Sequence, residues 1–415
     1  MGSLILVPKM ALGFRGLAVT TLCIALVTVF CVCPLYFMGD PYPLVKETQK
    51  IQKAAFTTPL TIQNNYFIVD FTLGSPPQPF RGVPAISWRP VVLAPASYEL
   101  EEDVQYIEEH GKEYPHKYNS SLSSTAVVSD TLVATGDRML LSGVGNMSYE
   151  TLNVAGIQAA NQSFVALSGI GQEIPSLLHI MYGGYGLFDG AIGLSPSNRP
   201  SKSGLESLWM NIARQDILDA HILSLKPPRP GSSELGEMAF GITEDYQRLA
   251  DRLVRMKVEM NSVSREFIEP WQVEGRAIYS GSNQMQLQPG NHTVRFSTET
   301  PLLLLPKESI RDVLNATRTI VTDNKGWSVP RLPCEARADI PDVTIDIGGH
   351  NFTITPYDFL SEVRYSDGSV ECAPQIGTSD GNFLLLGGPF LKKFYSVWDR
   401  DNMEIGLAPL SELER

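Results

Sequence analysis

The chain has 415 residues, a formal net charge of −12 and 19% charged residues against 43% hydrophobic ones. That length exceeds what one compact core holds and suits two lobes, and the mixture is that of a folded chain rather than a disordered one. An acidic surface repels phosphate backbones, which excludes nucleic acid as a partner.

In chain order, the first feature is an uncharged run from Gly16 to Met38. As a helix its 23 residues would span about 34 Å, enough to cross a bilayer. Lys9 and Arg15 precede it, which sets residues 1–15 on the cytoplasmic side and everything after about residue 40 in the lumen or outside the cell. No small-x-small cleavage site follows, so 16–38 reads as an uncleaved signal anchor, with a cleaved signal peptide as the alternative. The membrane is therefore an expected partner and the secretory pathway the expected address. Six Asn-x-Ser/Thr sequons, at Asn119, Asn146, Asn161, Asn291, Asn315 and Asn351, all lie downstream of this run. Of five cysteines, Cys23, Cys31 and Cys33 fall inside it. Cys334 and Cys372 are left as a disulfide in an oxidising compartment, or as two buried thiols.

Residues 39–60, with Pro41, Pro43 and Pro59, read as a polar linker. Period-2 alternation begins at Tyr66 and closes on the turn Gly74-Ser75-Pro76-Pro77. Short strands and turns then continue to the C-terminus, as 34 glycines and 29 prolines suggest. Two stretches depart from that pattern. Residues 99–113 are strongly acidic and read as a solvated loop insertion, and 206–219 read as a helix with Leu208, Ile212 and Leu218 on one face. Phe188–Leu194 and Phe383–Gly388 are each an apolar run closing on glycine, one per half. Two copies imply duplicated lobes, 61–250 and 251–415, rather than a solenoid.

The segments YFIVDFTLGSPPQPFR, FDGAIGLS, ESLWMNIARQDILDAHILSL, IPDVTIDIGGHNFTITPYDF and LLLGGPFLKKFYSVWDRDNMEIGLAPL resemble the pepsin-like aspartic proteases, peptidase family A1, over residues 61–410. The resemblance implies an all-β, two-lobed acid-protease fold with a central cleft. It also implies a second-lobe disulfide between Cys334 and Cys372. The family's chemistry needs one Asp-Thr-Gly loop per lobe, whose two carboxylates share a proton and hold a water between them. Aligned on the resemblance, Ala85 stands where the first aspartate belongs, and Ile86 and Ser87 replace the threonine and glycine. In the second loop Ser297 replaces the aspartate, Thr298 is kept and Glu299 replaces the glycine.

Both proton-handling acids are thus missing, and no aspartate stands within several residues of either point. Glu299 is the nearby acid, on a position that suits glycine, where it is expected to fill the junction. The stretch matching the family's flap, Ala134 to Asn146, has no tyrosine and places Arg138 near its tip. Only about 20 residues separate the apolar run from the first strand, where active members carry a longer basic prosegment. Plant inhibitors of xylan-degrading enzymes and pregnancy-associated glycoproteins show a similar loss of catalysis. The reading is a pseudoprotease binding a peptide, protein or small apolar ligand between the lobes. Ser87, Arg138, Thr298 and Glu299 are its cleft candidates. The alternative is an accessory protein with non-proteolytic chemistry in a membrane-associated biosynthetic pathway, and the third reading is residual endopeptidase activity. The six histidines have no metal-ligand spacing, no Gly-x-Ser-x-Gly elbow occurs, and Gly183–Gly186 lacks the lysine of a phosphate loop, so no cofactor or metal is expected.

Overall fold

The computed structural model describes residues 55–94, 116–135, 143–170, 188–196, 202–259, 271–288, 292–322, 326–328, 331–365, 367–379 and 383–414. The expected membrane segment 16–38, the acidic insertion 99–113, Arg138, the glycine-rich 183–186 and Asn291 lie outside these. Among the described residues no helix is long and apolar enough to cross a membrane.

The chain enters the sheet earlier than the alternation at Tyr66 marks. Strand β1 (Phe56–Gln63) takes in the end of the stretch read as linker, and Pro59 is tolerated inside it. Residues Asn64 and Asn65, both at positive φ (49° and 64°), turn it into β2 (Tyr66–Leu73) with Gln63 facing Tyr66. Asparagine accepts that left-handed backbone because its short polar side chain bonds locally, which gives a two-residue hairpin. In β2 every side chain but Asp70 is at least partly buried, so the strand is sandwiched rather than half-solvated.

The first lobe continues with β3 (Gln78–Ala85), β4 (Val91–Leu93), β5 (Val127–Thr135), β6 (Gly143–Val154), β7 (Ile157–Ile170) and β8 (Gly190–Gly193). Helix α1 (Leu208–Arg214) follows, capped by the Ser207 hydroxyl accepting from Met210 N–H. It is shorter than the 206–219 expected. Asp216 at φ 53° breaks the spiral, and Leu218 reaches the core from beyond the helix. Strands β9 (Ile222–Lys226), β10 (Gly236–Phe240) and β11 (Val254–Lys257) lead to the second lobe. There β12 (Gln272–Ser280), β13 (Asn283–Gln286), β14 (Thr293–Phe296) and β15 (Leu303–Leu305) precede two ribbons. These are β16 (Ile320–Thr322) with β17 (Gly326–Ser328), and β20 (Leu360–Arg364) with β21 (Val370–Pro374). Between and after them run β18 (Val343–Ile347), β19 (His350–Ile354), β22 (Ile376–Thr378) and β23 (Phe383–Leu386). A short α2 (Gly388–Leu391), β24 (Phe394–Asp399) and β25 (Glu404–Pro409) close the chain.

The strands form a 13-stranded sheet, β11-β25-β24-β9-β10-β1-β2-β3-β8-β4-β7-β6-β5, and an eight-stranded one, β19-β18-β12-β14-β23-β15-β22 with β13 on β12. The C-terminal strands β24 and β25 therefore lie in the first sheet, joined through β9 to the strands of the N-terminal half. The duplication read from the two glycine-ending runs is present as topology. In one half β3 pairs parallel with β8, and β4 pairs antiparallel with β8 and parallel with β7. In the other, β14 pairs parallel with β23, and β15 pairs antiparallel with β23 and parallel with β22. Trp88, Trp209, Trp271 and Trp398 are all core residues. Cys334 and Cys372 are bonded, stapling the segment before β18 to β21.

Candidate active site

Each duplicated half presents one loop where its parallel pair ends. In the first, β3 stops at Ala85 and the chain folds back so that Trp88 N–H and Leu194 N–H both donate to Ala85 O, at 3.3 and 2.9 Å. The loop then lies against the end of β8. A Cβ placed on Gly193 would sit 2.0 Å from Arg89 O, so only glycine admits the loop there. In the second, Ser297 N–H donates to Leu386 O at 3.2 Å and Gly388 N–H to Thr300 O at 2.9 Å. A Cβ on Gly387 would meet Leu302 O at 2.3 Å and Thr300 O at 2.4 Å. Gly193 and Gly387 thus seat the two loops against backbone oxygens.

The two loops meet. Thr298, with no exposed surface, accepts a hydrogen bond from Ile86 N–H at 3.2 Å. Its single proton is shared between Pro84 O and Glu299 Oε2, the latter at 3.3 Å. Ile86 holds the related position in the first loop and has no hydroxyl to reach back, so this bridge runs one way. Beside it Ser87 Oγ donates to Glu299 Oε1. These two residues stand on the positions the family resemblance gives to glycine, and they are buried together, at 6% and 2% exposure. The Glu299 side chain is thus buried against the first loop, where it accepts from the Ser87 hydroxyl.

The two positions to which the family resemblance assigns the acids are also buried. Ala85 is fully covered, its methyl packed in an apolar cluster with Val83, Trp88, Phe188 and Leu205, and Ser297 is 3% exposed. A methyl has no proton to exchange and an alcohol hydroxyl is not a base near neutral pH. Ser87, Thr298 and Glu299 therefore come together, with Ala85 and Ser297 beside them along the two loops, whereas Arg138 lies outside the described residues. Among the described residues no cluster of three or more His, Cys, Asp or Glu side chains has the arrangement of a metal site.

A second contact, little signalled by the residue pattern, joins the β1–β2 hairpin to the C-terminal half. Lys392 Nζ donates to Asn65 Oδ1 at 3.0 Å and to Asp358 O at 2.7 Å, and Asn65 Nδ2 donates to Gln375 Oε1. Gly388 lies so near the turn that a Cβ would be 1.9 Å from Asn65 O. Burial pushes the Lys392 ammonium down to about 8, with Asp358 pulling the other way and Lys393 and Arg337 adding to the fall. The Asn64-Asn65 pair was the available signal, since two such residues in a row mark a tight hairpin.

The five described sequon asparagines, Asn119, Asn146, Asn161, Asn315 and Asn351, are all exposed.

Comparison with known proteins agrees with this geometry. The profile of the eukaryotic aspartyl proteases matches residues 100–410. Vacuolar protease A of Aspergillus fumigatus is 28% identical over 353 residues, covering 83% of this chain and 79% of that protein. Bovine (Bos taurus) cathepsin D is 26% identical, covering 72% of this chain and 74% of its own. The crystal structure of the aspartic proteinase from Irpex lacteus superposes with a TM-score of 0.63 at 20% identity, over 87% of this chain and 98% of that one.

Proposed function

The chain belongs to the eukaryotic aspartyl protease family, and from that premise we propose that it is a member without the family's hydrolytic reaction, a pseudoprotease that binds a peptide, protein or small apolar ligand between its lobes. The observation that carries this is the buried contact of Ser87 with Glu299 beside Ala85 and Ser297. Peptide hydrolysis by this fold needs one group to take a proton from water and another to give one to the scissile carbonyl. Each such group is worth about 10²–10⁴ in rate. Here the two positions carry a methyl and a hydroxymethyl, and the neighbouring acid is engaged by hydroxyls.

The bulk of the chain is assigned to the lumen of the secretory pathway, held there by residues 16–38 as a signal anchor, with N-glycans on the exposed sequons. The relatives named as vacuolar proteases support such an address. So does the disulfide, which persists in oxidising compartments. A second reading is favoured by one specific feature. A carboxylate with a serine hydroxyl bonded to it, as Glu299 has, is also a polar pair on which non-proteolytic chemistry can be built, in an accessory protein of a membrane-associated pathway.

Incubation of the full chain with a pool of peptides at acid pH, followed by size exclusion and mass spectrometry of what co-elutes, separates these. Intact peptides retained on the protein are expected. Cleaved fragments would overturn the reading in favour of a protease. Retention of nothing, from peptide pools and apolar small molecules alike, would overturn it in favour of the second.

A further inference from the structure

Five of the ten large apolar side chains that stand exposed among the described residues fall in one short stretch: Leu122, Val127, Val128, Leu132 and Val144. Most belong to the β5–β6 hairpin, and β5 is the terminal strand of the 13-stranded sheet, paired among the described residues with β6 alone. Leu132 faces Asn146, Ala134 faces Val144 and Val128 faces Ser148. Partners across an antiparallel pair share a face, and so do alternate residues along a strand. Leu132, Ala134, Val144 and Asn146 therefore line one outward face, which ends at the buried Ser148 and at the register shift between Leu132 and Val128. Val133 and Met147, on the opposite face, are buried in the first-lobe core.

An open strand edge beside an exposed apolar face is a template for pairing with another chain, and folded proteins cover or block such edges. Here the polar residue at the centre of the face is the acceptor of the sequon Asn146-Met147-Ser148. Its neighbours on the face are Leu132 directly opposite and Val144 two residues back, about 5–7 Å away. A sugar ring attached to Asn146 spans that distance and can lay its C–H face on them.

We propose that an N-linked glycan on Asn146 covers this apolar face and keeps the β5 edge from pairing with a second copy of the chain. Asn119 lies near the same stretch, but its carboxamide oxygen accepts from Ser121 N–H and Ser121 Oγ as a helix cap, leaving Asn146 as the residue that projects from the face itself. The inference rests on the secretory assignment made above.

The test uses the full chain made in eukaryotic cells, with glycopeptide mass spectrometry for occupancy and sedimentation in a non-ionic detergent for mass. Asn146 carries a glycan in the wild type. Asn146→Gln and Ser148→Ala both lose it, and the sedimenting mass of the protein doubles, while Asn315→Gln leaves the mass at the wild-type value. Adding Leu132→Thr and Val144→Thr to Asn146→Gln returns the mass to that of the wild type. If other sequons are occupied and Asn146 is bare, this inference fails alone. If every sequon is bare, the secretory assignment fails with it. An occupied Asn146 whose loss leaves the mass unchanged refutes the covering role.

Discussion

The Thr298 hydroxyl joins the two loops beside the Ser87–Glu299 bond, and Thr298→Val removes it without changing the shape of the side chain. Two buried backbone groups, Ile86 N–H and Pro84 C=O, lose their partner in one step. A buried polar group left unpaired costs about 1–3 kcal/mol, so the variant is expected to be about 2–4 kcal/mol less stable. Thr298→Ser keeps the hydroxyl and deletes a buried methyl, worth about 1 kcal/mol. Equilibrium urea denaturation of the two variants and the wild type, followed by the fluorescence of the buried tryptophans, gives both numbers. A valine variant clearly less stable than the serine variant supports the bridge. Equal losses would show that the Thr298 hydroxyl contributes nothing beyond packing.

Three further outcomes follow from the same contacts. Ser87→Ala and Glu299→Gly each break the buried pair, and a double-mutant cycle is expected to return a coupling of about 1–2 kcal/mol in urea denaturation; additive losses would mean the two residues merely lie close. The Lys392 ammonium falls from its ordinary 10.5 to about 8, so between those values the unfolded chain holds a proton that the folded one has released. Stability therefore rises with pH across that window, by up to about 3 kcal/mol, and the full penalty stands below pH 8; Lys392→Met is expected to flatten the rise when unfolding is measured from pH 7.5 to 10.5. The Cys334–Cys372 bond closes a separation of 38 residues, and Cys334→Ala with Cys372→Ala should cost about 4 kcal/mol on the chain-entropy account, read from the same denaturation curves.

The fold was legible where local chemistry and the chain's pattern agree. The run Phe383–Gly388 and the strands after it form as read, because an apolar stretch ending in a glycine pressed on backbone oxygens leaves few other structures. The disulfide was legible because only two cysteines remain outside the apolar N-terminal run. Boundaries were less so. β1 carries Pro59 and weak alternation, yet pairing with β10 on one side and β2 on the other makes it a strand. Helix α1 ends at Arg214 although the apolar spacing continues, because the backbone at Asp216 turns left-handed and Leu218 still finds the core. Residues 85, 87, 297 and 299 could be singled out by the family resemblance alone. Their contact was not legible, since Ser87 and Glu299 lie 212 residues apart and only the folded junction shows that the two side chains are bonded to each other. Lys392 and Asn65, 327 residues apart, are hidden from sequence for the same reason.

The central claim is that a junction holding Ala85 and Ser297, with Glu299 tied to Ser87, does not activate water. Its most direct test is the rate at which the purified full chain cleaves acid-unfolded protein between about pH 3 and 6, with and without pepstatin. A rate indistinguishable from the protein-free control at every pH is expected, with no response to the inhibitor. Cleavage that depends on enzyme concentration and is abolished by pepstatin would contradict it.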